Sequence, residues 1–283
     1  MVSNRTTLHA VAGLAALSLF ALPSEVSARD RFITVASTTS TENSGLFDHI
    51  LPKFDAASGI EVRVIAVGTG AAIKLAEDGN ADVLFVHHRP SEMAFVADGF
   101  GVKRFDVMYN DFILVGPQSD PAGIHDGTNL ALALKKIAAT KAPFTSRADG
   151  SGTHKMELSL WVAADIDVKA ASGTWYRETG SSMGATLNTA SAMEAYTLTD
   201  RGTWIKFGNK GPLIIKVEGD PRLFNPYGVI LVNPQRHPHT KAADGQRFID
   251  WLLSKTGQKI IAEYRIDGKL AFFSNAESPR NAF

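Results

Sequence analysis

From Phe32 onward, short apolar runs alternate with loops rich in Gly, Ser and Thr and with segments whose apolar residues recur every three to four positions. RFITVA (31–36), IEVRVIAV (60–67) and ADVLFV (81–86) read as buried strands. Between them, Leu46, Phe47, Ile50, Leu51 and Phe54 fall at helical spacing, and AAIKLAED (71–78) forms a second helix stopped by Gly79. Pro52 should kink or split the first of these helices. Three strands with intervening helices predict βαβ units and a parallel sheet.

DFILVGP (111–117) predicts a fourth strand, after which the pattern changes. A turn-rich stretch leads into helix-like LALALKKIAA, the loop SRADGSGTH, helix-like KMELSLWVAA, the loop ETGSSMGA and strand-like LIIKV. YGVILV (227–232) is a strand again, and two helices around QRFIDWLLS and QKIIAEY end the pattern. The arrangement predicts an α/β protein of two lobes, each a mainly parallel sheet flanked by helices. The second lobe is inserted into the first, with crossings near 110–117 and 225–230 and a ligand cleft between lobes. The expected partition is 29–114 with 228–283 for the first lobe and 115–227 for the second.

In an open parallel sheet the carboxyl ends of the strands form the binding crevice. Three expected loops at such ends are rich in donors: Ser37 to Thr41, Gly68-Thr69-Gly70, and residues 147–153 with Ser151 and Thr153. Helix N-termini there add backbone N–H groups. A single Ser or Thr after a strand is commonly only a helix cap, but five consecutive hydroxyls exceed what a cap needs. Arg147 is the one strong cation in the three loops. A fully ionised tetrahedral oxyanion accepts hydrogen bonds and donates none, so hydroxyls, amides and one guanidinium suit it.

Residues 1–28 read as an export signal: Arg5, then the apolar run Ala10 to Leu22, then Val26-Ser27-Ala28 as a cleavage site, with processing expected after Ala28. The apolar run is too short to span a bilayer. The chain has no cysteine, hence no disulfide and no lipid-bearing residue after the signal. A freely diffusing periplasmic protein, without a membrane anchor and monomeric, is the expectation. Formal net charge is zero, which argues against nucleic acid or an anionic membrane as partner.

Two enzyme-like or metal-like patterns compete. Asp149, Ser151 and His154 evoke a serine hydrolase triad, but GxSxG spacing is missing from Asp-Gly-Ser-Gly-Thr. His87-His88 and His237-Pro238-His239 evoke a metal site, but no matching acidic or cysteine set accompanies them, so surface or loop histidines are expected. Trp161, Trp175, Trp204 and Trp251 lie in or beside apolar periodic segments, which predicts core packing. TDRGT (199–203) reads as a turn between elements, with contact to a membrane partner as its other reading.

STTSTENSGLFDHILPKF, VIAVGTGAAIKLAEDGNADVLFVHH, VMYNDFILVGP, SRADGSGTHKMELSLW, AYTLTDRGTW and NPYGVILVNP, in this order, resemble the Tup-type tungstate-binding family of ABC importers. The resemblance implies a two-lobed type II periplasmic binding fold, no enzymatic activity, no cofactor, and tungstate as ligand, with molybdate as a second candidate. It also implies a membrane permease with its ATPase as partners. Its Thr-Thr-Thr-Ser stretch falls on Ser37, Thr38, Thr39 and Ser40, with Ser37 departing from the pattern, and its distant arginine falls on Arg147. Thr69, Ser151 and Thr153 are further oxygen contacts on the same ground. Molybdate, sulfate and phosphate binding, and a hydrolase using Ser151 and His154, remain the alternatives.

Overall fold

The computed structural model describes Met1 and residues 31–125 and 127–276. The expected export signal, apart from Met1, lies outside the described residues, as does its cleavage point. The strands are β1 (Phe32–Thr38), β2 (Glu61–Val67), β3 (Val83–Val86), β4 (Gly101–Pro117), β5 (Phe144–Ser146), β6 (Tyr176–Glu178), β7 (Thr197–Asp200), β8 (Leu213–Val217), β9 (Phe224–Val232), β10 (Arg265–Ile266), β11 (Lys269–Leu270) and β12 (Phe273–Ser274). The helices are α1 (Thr39–Asn43), α2 (Leu46–Ser58), α3 (Thr69–Glu77), α4 (Arg89–Ala97), α5 (Leu130–Thr140), α6 (Gly152–Ala163), α7 (Met183–Met193), α8 (Arg201–Lys206), α9 (Ala242–Leu253) and α10 (Lys255–Glu263).

The main sheet runs β12-β4-β9-β3-β1-β2, with β7 and β8 paired to the far half of β4. β1 is parallel to both β2 and β3, and β5 is parallel to β6. The remaining pairings of the main sheet are antiparallel, because β4 and β9 run side by side in opposite directions. The parallel pairing read from the βαβ rhythm is thus confined to strands joined by helices. The strand predicted over 111–117 is the second half of a longer one.

Strand alternation distributes side chains over two layers of the first lobe. In β3, Val83 and Phe85 join Ile33, Val35, Phe47, Ile50, Phe54 and Phe248 on one face. Leu84 and Val86 join Ala72, Ile73, Ala76 and Phe95 on the other. A second pair of cores lies further along the chain. Phe112 and Leu114 pack with Leu134, Ile137, Phe144, Trp161 and Tyr196, while Ile113 and Val115 pack with Leu187, Trp204 and Leu213. β4 contributes Val107 and Met108 to the first pair of cores and residues 112–115 to the second pair, so one strand serves both. The four tryptophans pack in or against these cores, as their apolar surroundings predicted.

Some local features differ from the reading of the sequence; α4 went unread, and three others have a local cause. α2 continues through Pro52 as one helix. Pro52 and Asp48 are exposed, so water can satisfy the carbonyl that the missing N–H leaves free. α7 was not read from the pattern, since MGATLNTASAM carries only a weak apolar stripe. TDRGT is a strand end followed by α8 rather than a plain turn: Asp200 accepts from Thr203 N at 2.8 Å and from the Thr203 hydroxyl at 2.7 Å, capping that helix. Among the described residues no helix is long and apolar enough to cross a membrane.

Candidate functional site

The hydroxyl run turns a strand into a helix. Ser37 donates to the Phe85 carbonyl at 2.6 Å, so its proton is committed to the sheet. Thr38 ends β1 and caps α1, accepting from Thr41 N at 3.4 Å. Thr38 Oγ1 also lies 3.1 Å from Ser40 Oγ and 2.7 Å from Thr41 Oγ1, and Ser40 Oγ lies 3.0 Å from His87 Nε2. Thr39 is half-buried, while Thr38, Ser40 and Thr41 are buried. Ser37 is committed to the sheet and Thr38 caps α1, which leaves Thr39, Ser40 and Thr41 needed for neither.

The second and third loops meet each other. Thr69, at the start of α3, accepts from Gly152 N at 2.8 Å, which ties the first lobe to α6 of the second. Lys155 Nζ donates to Ser91 Oγ at 3.1 Å across the same boundary. Ser151 caps α6, accepting from His154 N at 3.2 Å, and Thr153 follows on the first turn. Arg147 is 3% exposed and pairs with Asp149 at 2.5 Å. Arg147 Nε and Thr153 Oγ1 are buried with no hydrogen-bond partner in the protein. Buried polar groups are nearly always paired, so these two atoms mark unused donor capacity at this boundary.

Gly152 links the three clusters: a Cβ there would stand 3.0 Å from Thr69 Oγ1 and 3.3 Å from His87 Cε1. The fold therefore gathers Ser40, Thr69, Arg147, Ser151 and Thr153 around one junction, and Thr38 reaches it through Ser40.

Several residues at the junction were not read from the sequence as part of a ligand site. His87, expected at the surface or in a loop, is 4% exposed, stacked on Tyr227 with ring centroids 4.7 Å apart. Its Nδ1 lies 3.0 Å from Asn225 Oδ1, and Asn225 Nδ2 donates to Asn110 Oδ1 at 2.6 Å. Burial pulls the His87 pKa down to about 4; the Asn225 contact opposes this, and the Arg147 and His88 charges reinforce it. Asp200 is fully buried, and burial raises its carboxyl pKa against the pull of Thr203 and Arg147. The signal that could have found His87 was its place directly after the strand ADVLFV, at the same kind of strand end as the three loops. Asn110 and Asn225 lie on the crossing strands β4 and β9.

The hydrolase geometry is not formed. Ser151 Oγ accepts from the His154 backbone, the His154 ring accepts from Gly150 N at 3.1 Å, and Asp149 is engaged by Arg147 and Ser151 N. A triad needs the ring nitrogen on the serine hydroxyl and the carboxylate on the other nitrogen. Of the remaining histidines, His88 caps α4, and His237 and His239 lie 2.9 and 2.8 Å from the carbonyls of Glu77 and Gly79.

A model of the PBP superfamily domain matches residues 23–256. The tungstate-binding protein TupA of Peptoclostridium acidaminophilum is 47% identical over 234 residues, covering 82% of this chain and 81% of that one. The structure of the tungstate-binding protein TupA from Desulfovibrio alaskensis G20 superposes with a TM-score of 0.76 at 46% identity, over 87% of this chain and all of that one. The tungstate ABC transporter structure from Geobacter sulfurreducens gives 0.75 at 50% identity, over 82% and 98%. By sequence and by fold alike, the chain belongs to the PBP superfamily and, within it, to the family of TupA tungstate-binding proteins.

Proposed function

We propose that this protein captures tungstate in the cleft between its lobes and delivers it to a membrane permease driven by an ATPase. It does so in the periplasm, after export and removal of the signal, and catalyses no reaction. The first lobe comprises 29–114 and 228–283 and the second 115–227. Thr38, Thr39, Ser40 and Thr69 present oxygens and amides from the first lobe, and Arg147, Ser151 and Thr153 from the second. Together they hold the ion through its oxygens, with no metal-ligand bond from the protein.

One observation carries this reading. Donor loops from two lobes meet at a junction where a buried arginine and a buried threonine keep donor atoms that no protein group uses. A dianion that only accepts hydrogen bonds satisfies such atoms, and the guanidinium supplies the charge that makes those bonds strong. Hydrogen phosphate would need an acceptor as well.

Calorimetric titration of the processed protein with tungstate, molybdate, sulfate and phosphate tests the assignment. Tungstate is expected to bind with the highest affinity, molybdate after it. A ligand at one hundred times its Kd adds about 2.7 kcal/mol, which raises Tm by roughly 5 to 10 °C in a protein of this size. Tight phosphate or sulfate binding with no heat from tungstate would transfer the assignment to that ion.

A further inference from the structure

We propose that His87 is the positioning residue of the oxyanion site: in the complex it carries a proton on Nε2, donates to Ser40 Oγ, and so directs the Ser40 proton onto the bound ion. The inference rests on the oxyanion-binding reading above and adds a residue that the family resemblance did not supply.

The His87 ring is held at both nitrogens, by Ser40 Oγ at 3.0 Å on Nε2 and by Asn225 Oδ1 at 3.0 Å on Nδ1. These groups form one chain, Asn110 to Asn225 to His87 to Ser40 to Thr38, and such a chain runs in one of two directions. In the first, Asn225 Nδ2 donates to Asn110 Oδ1, so Asn225 Oδ1 faces the ring and takes the proton of Nδ1. Nε2 is then a lone pair, and the Ser40 hydroxyl must donate to it. Ser40 has one proton, and in this direction none is left for an anion. The same direction leaves Asn110 Nδ2 buried without an acceptor.

Reversal changes both facts. With both amides turned over, Asn110 donates to Asn225 Oδ1, Asn225 donates to His87 Nδ1, and Nε2–H donates to Ser40. The Ser40 proton is released, and the amide nitrogen of Asn110 is no longer orphaned. The Tyr227 hydroxyl, 3.5 Å from the Asn225 amide position that then carries the oxygen, donates to it. An ion that accepts and never donates selects the second direction, because only there does Ser40 meet it with a proton. The stacking on Tyr227 and the partners at both ring nitrogens hold the ring in place, so its tautomer is the variable that remains. Burial keeps the ring neutral in the ordinary pH range; Arg147 is the charge that acts on it there, since burial and Lys155 hold His88, lowered to about 4, neutral as well.

The test is nitrogen NMR of the wild-type protein with 15N-labelled histidine at neutral pH, without ligand and saturated with tungstate. The expected result in the complex is a protonated Nε2 and a bare Nδ1 at His87; a bare Nε2 overturns the inference. A double-mutant cycle separates positioning from structure. His87→Phe keeps the stacked ring but has neither N–H nor lone pair, so Ser40 keeps its proton but loses the donor that orients it. Tungstate binding is then expected to weaken roughly two- to fivefold, less than the share of a whole hydroxyl contact. In a Ser40→Ala background the same change should cost nothing further, since it acts through the missing hydroxyl. Equal losses in both backgrounds would assign His87 a structural role and overturn the proposal. Absence of any tungstate binding by the wild-type protein would sink the binding assignment itself, whereas binding with a bare Nε2 sinks only the role of His87.

Discussion

The backbone amide of Gly152 donates to Thr69 Oγ1 at 2.8 Å, joining the first residue of a helix in the second lobe to the first residue of a helix in the first lobe. A contact of this kind exists only when the lobes are together, so its free energy contributes to closure and, through closure, to affinity. Thr69→Val keeps the shape and leaves the Gly152 amide buried without an acceptor, at a cost of about 1 to 3 kcal/mol. The expected outcome is a Kd raised roughly five- to hundredfold by calorimetry, with little change in the Tm of the unliganded protein. An unchanged Kd would remove Thr69 both from the closure contact and from the ion.

Gly152→Ala probes the same contact from the other side. The added Cβ would press on Thr69 Oγ1 at 3.0 Å and His87 Cε1 at 3.3 Å, while alanine suits the first turn of α6 better than glycine. Tungstate binding should weaken while the Tm of the unliganded protein holds or rises slightly. Stability and affinity falling together would locate the effect in the fold of α6 instead.

Arg147 tests charge and geometry separately. Arg147→Lys keeps a cation but loses the planar fork, and Arg147→Ala loses both. Calorimetry should show the lysine variant weakened for every oxyanion, with an altered ratio of tungstate to molybdate affinity. The alanine variant should lose about 2 to 5 kcal/mol of binding, because the ion is then held without its counter-charge. Wild-type affinity in Arg147→Ala would remove the residue from the site.

Glu157 supplies a pH-dependent term beneath the Arg147 loop. Its Oε1 accepts from Tyr176 at 2.6 Å and from Trp161 at 3.1 Å, and burial pushes its pKa from 4.5 up to about 7. A carboxyl whose pKa is raised by folding stabilises the protein fully below about pH 4.5, and that contribution is lost as pH rises through 7. The span is about 3 kcal/mol. Glu157→Gln retains an acceptor and removes the titration. Urea unfolding should therefore show the variant gaining on the wild type between pH 5 and pH 8; a pH-independent difference would show that Glu157 does not titrate in this range.

Gly228 bears on the crossing strands. A Cβ there would fall 2.1 Å from Glu92 Oε2 and 2.8 Å from Arg104 Nε, two side chains buried against β9 and paired at 2.5 Å. Gly228→Ala must displace that ion pair, and breaking a buried pair costs about 3 to 5 kcal/mol. Chemical denaturation should register a loss of this order, and a loss below about 1 kcal/mol would mean that the pair shifts without separating.

Much of this architecture is local in origin, which is why it is legible along the chain. The apolar run ADVLFV, helical spacing from Leu46 to Phe54 and the donor-rich stretches at 37–41, 68–70 and 147–153 each depend on neighbours a few residues away. Arg147 stood out for the same reason, as a lone cation among small polar residues. α7 was hidden because its apolar stripe is weak, and α8 because six residues are too few to show a period. What the chain alone could not reveal is pairing over long separations. His87 reads as one of a surface pair until Asn225, 138 positions away, and Ser40, 47 positions away, enclose it. Its burial and its tautomer are properties of those partners, not of the HHRP stretch that carries it. In the same way Thr69 and Gly152 are ordinary first-turn residues in sequence, and the packing of two lobes around β4 and β9 is what brings an acceptor on one to the amide of the other.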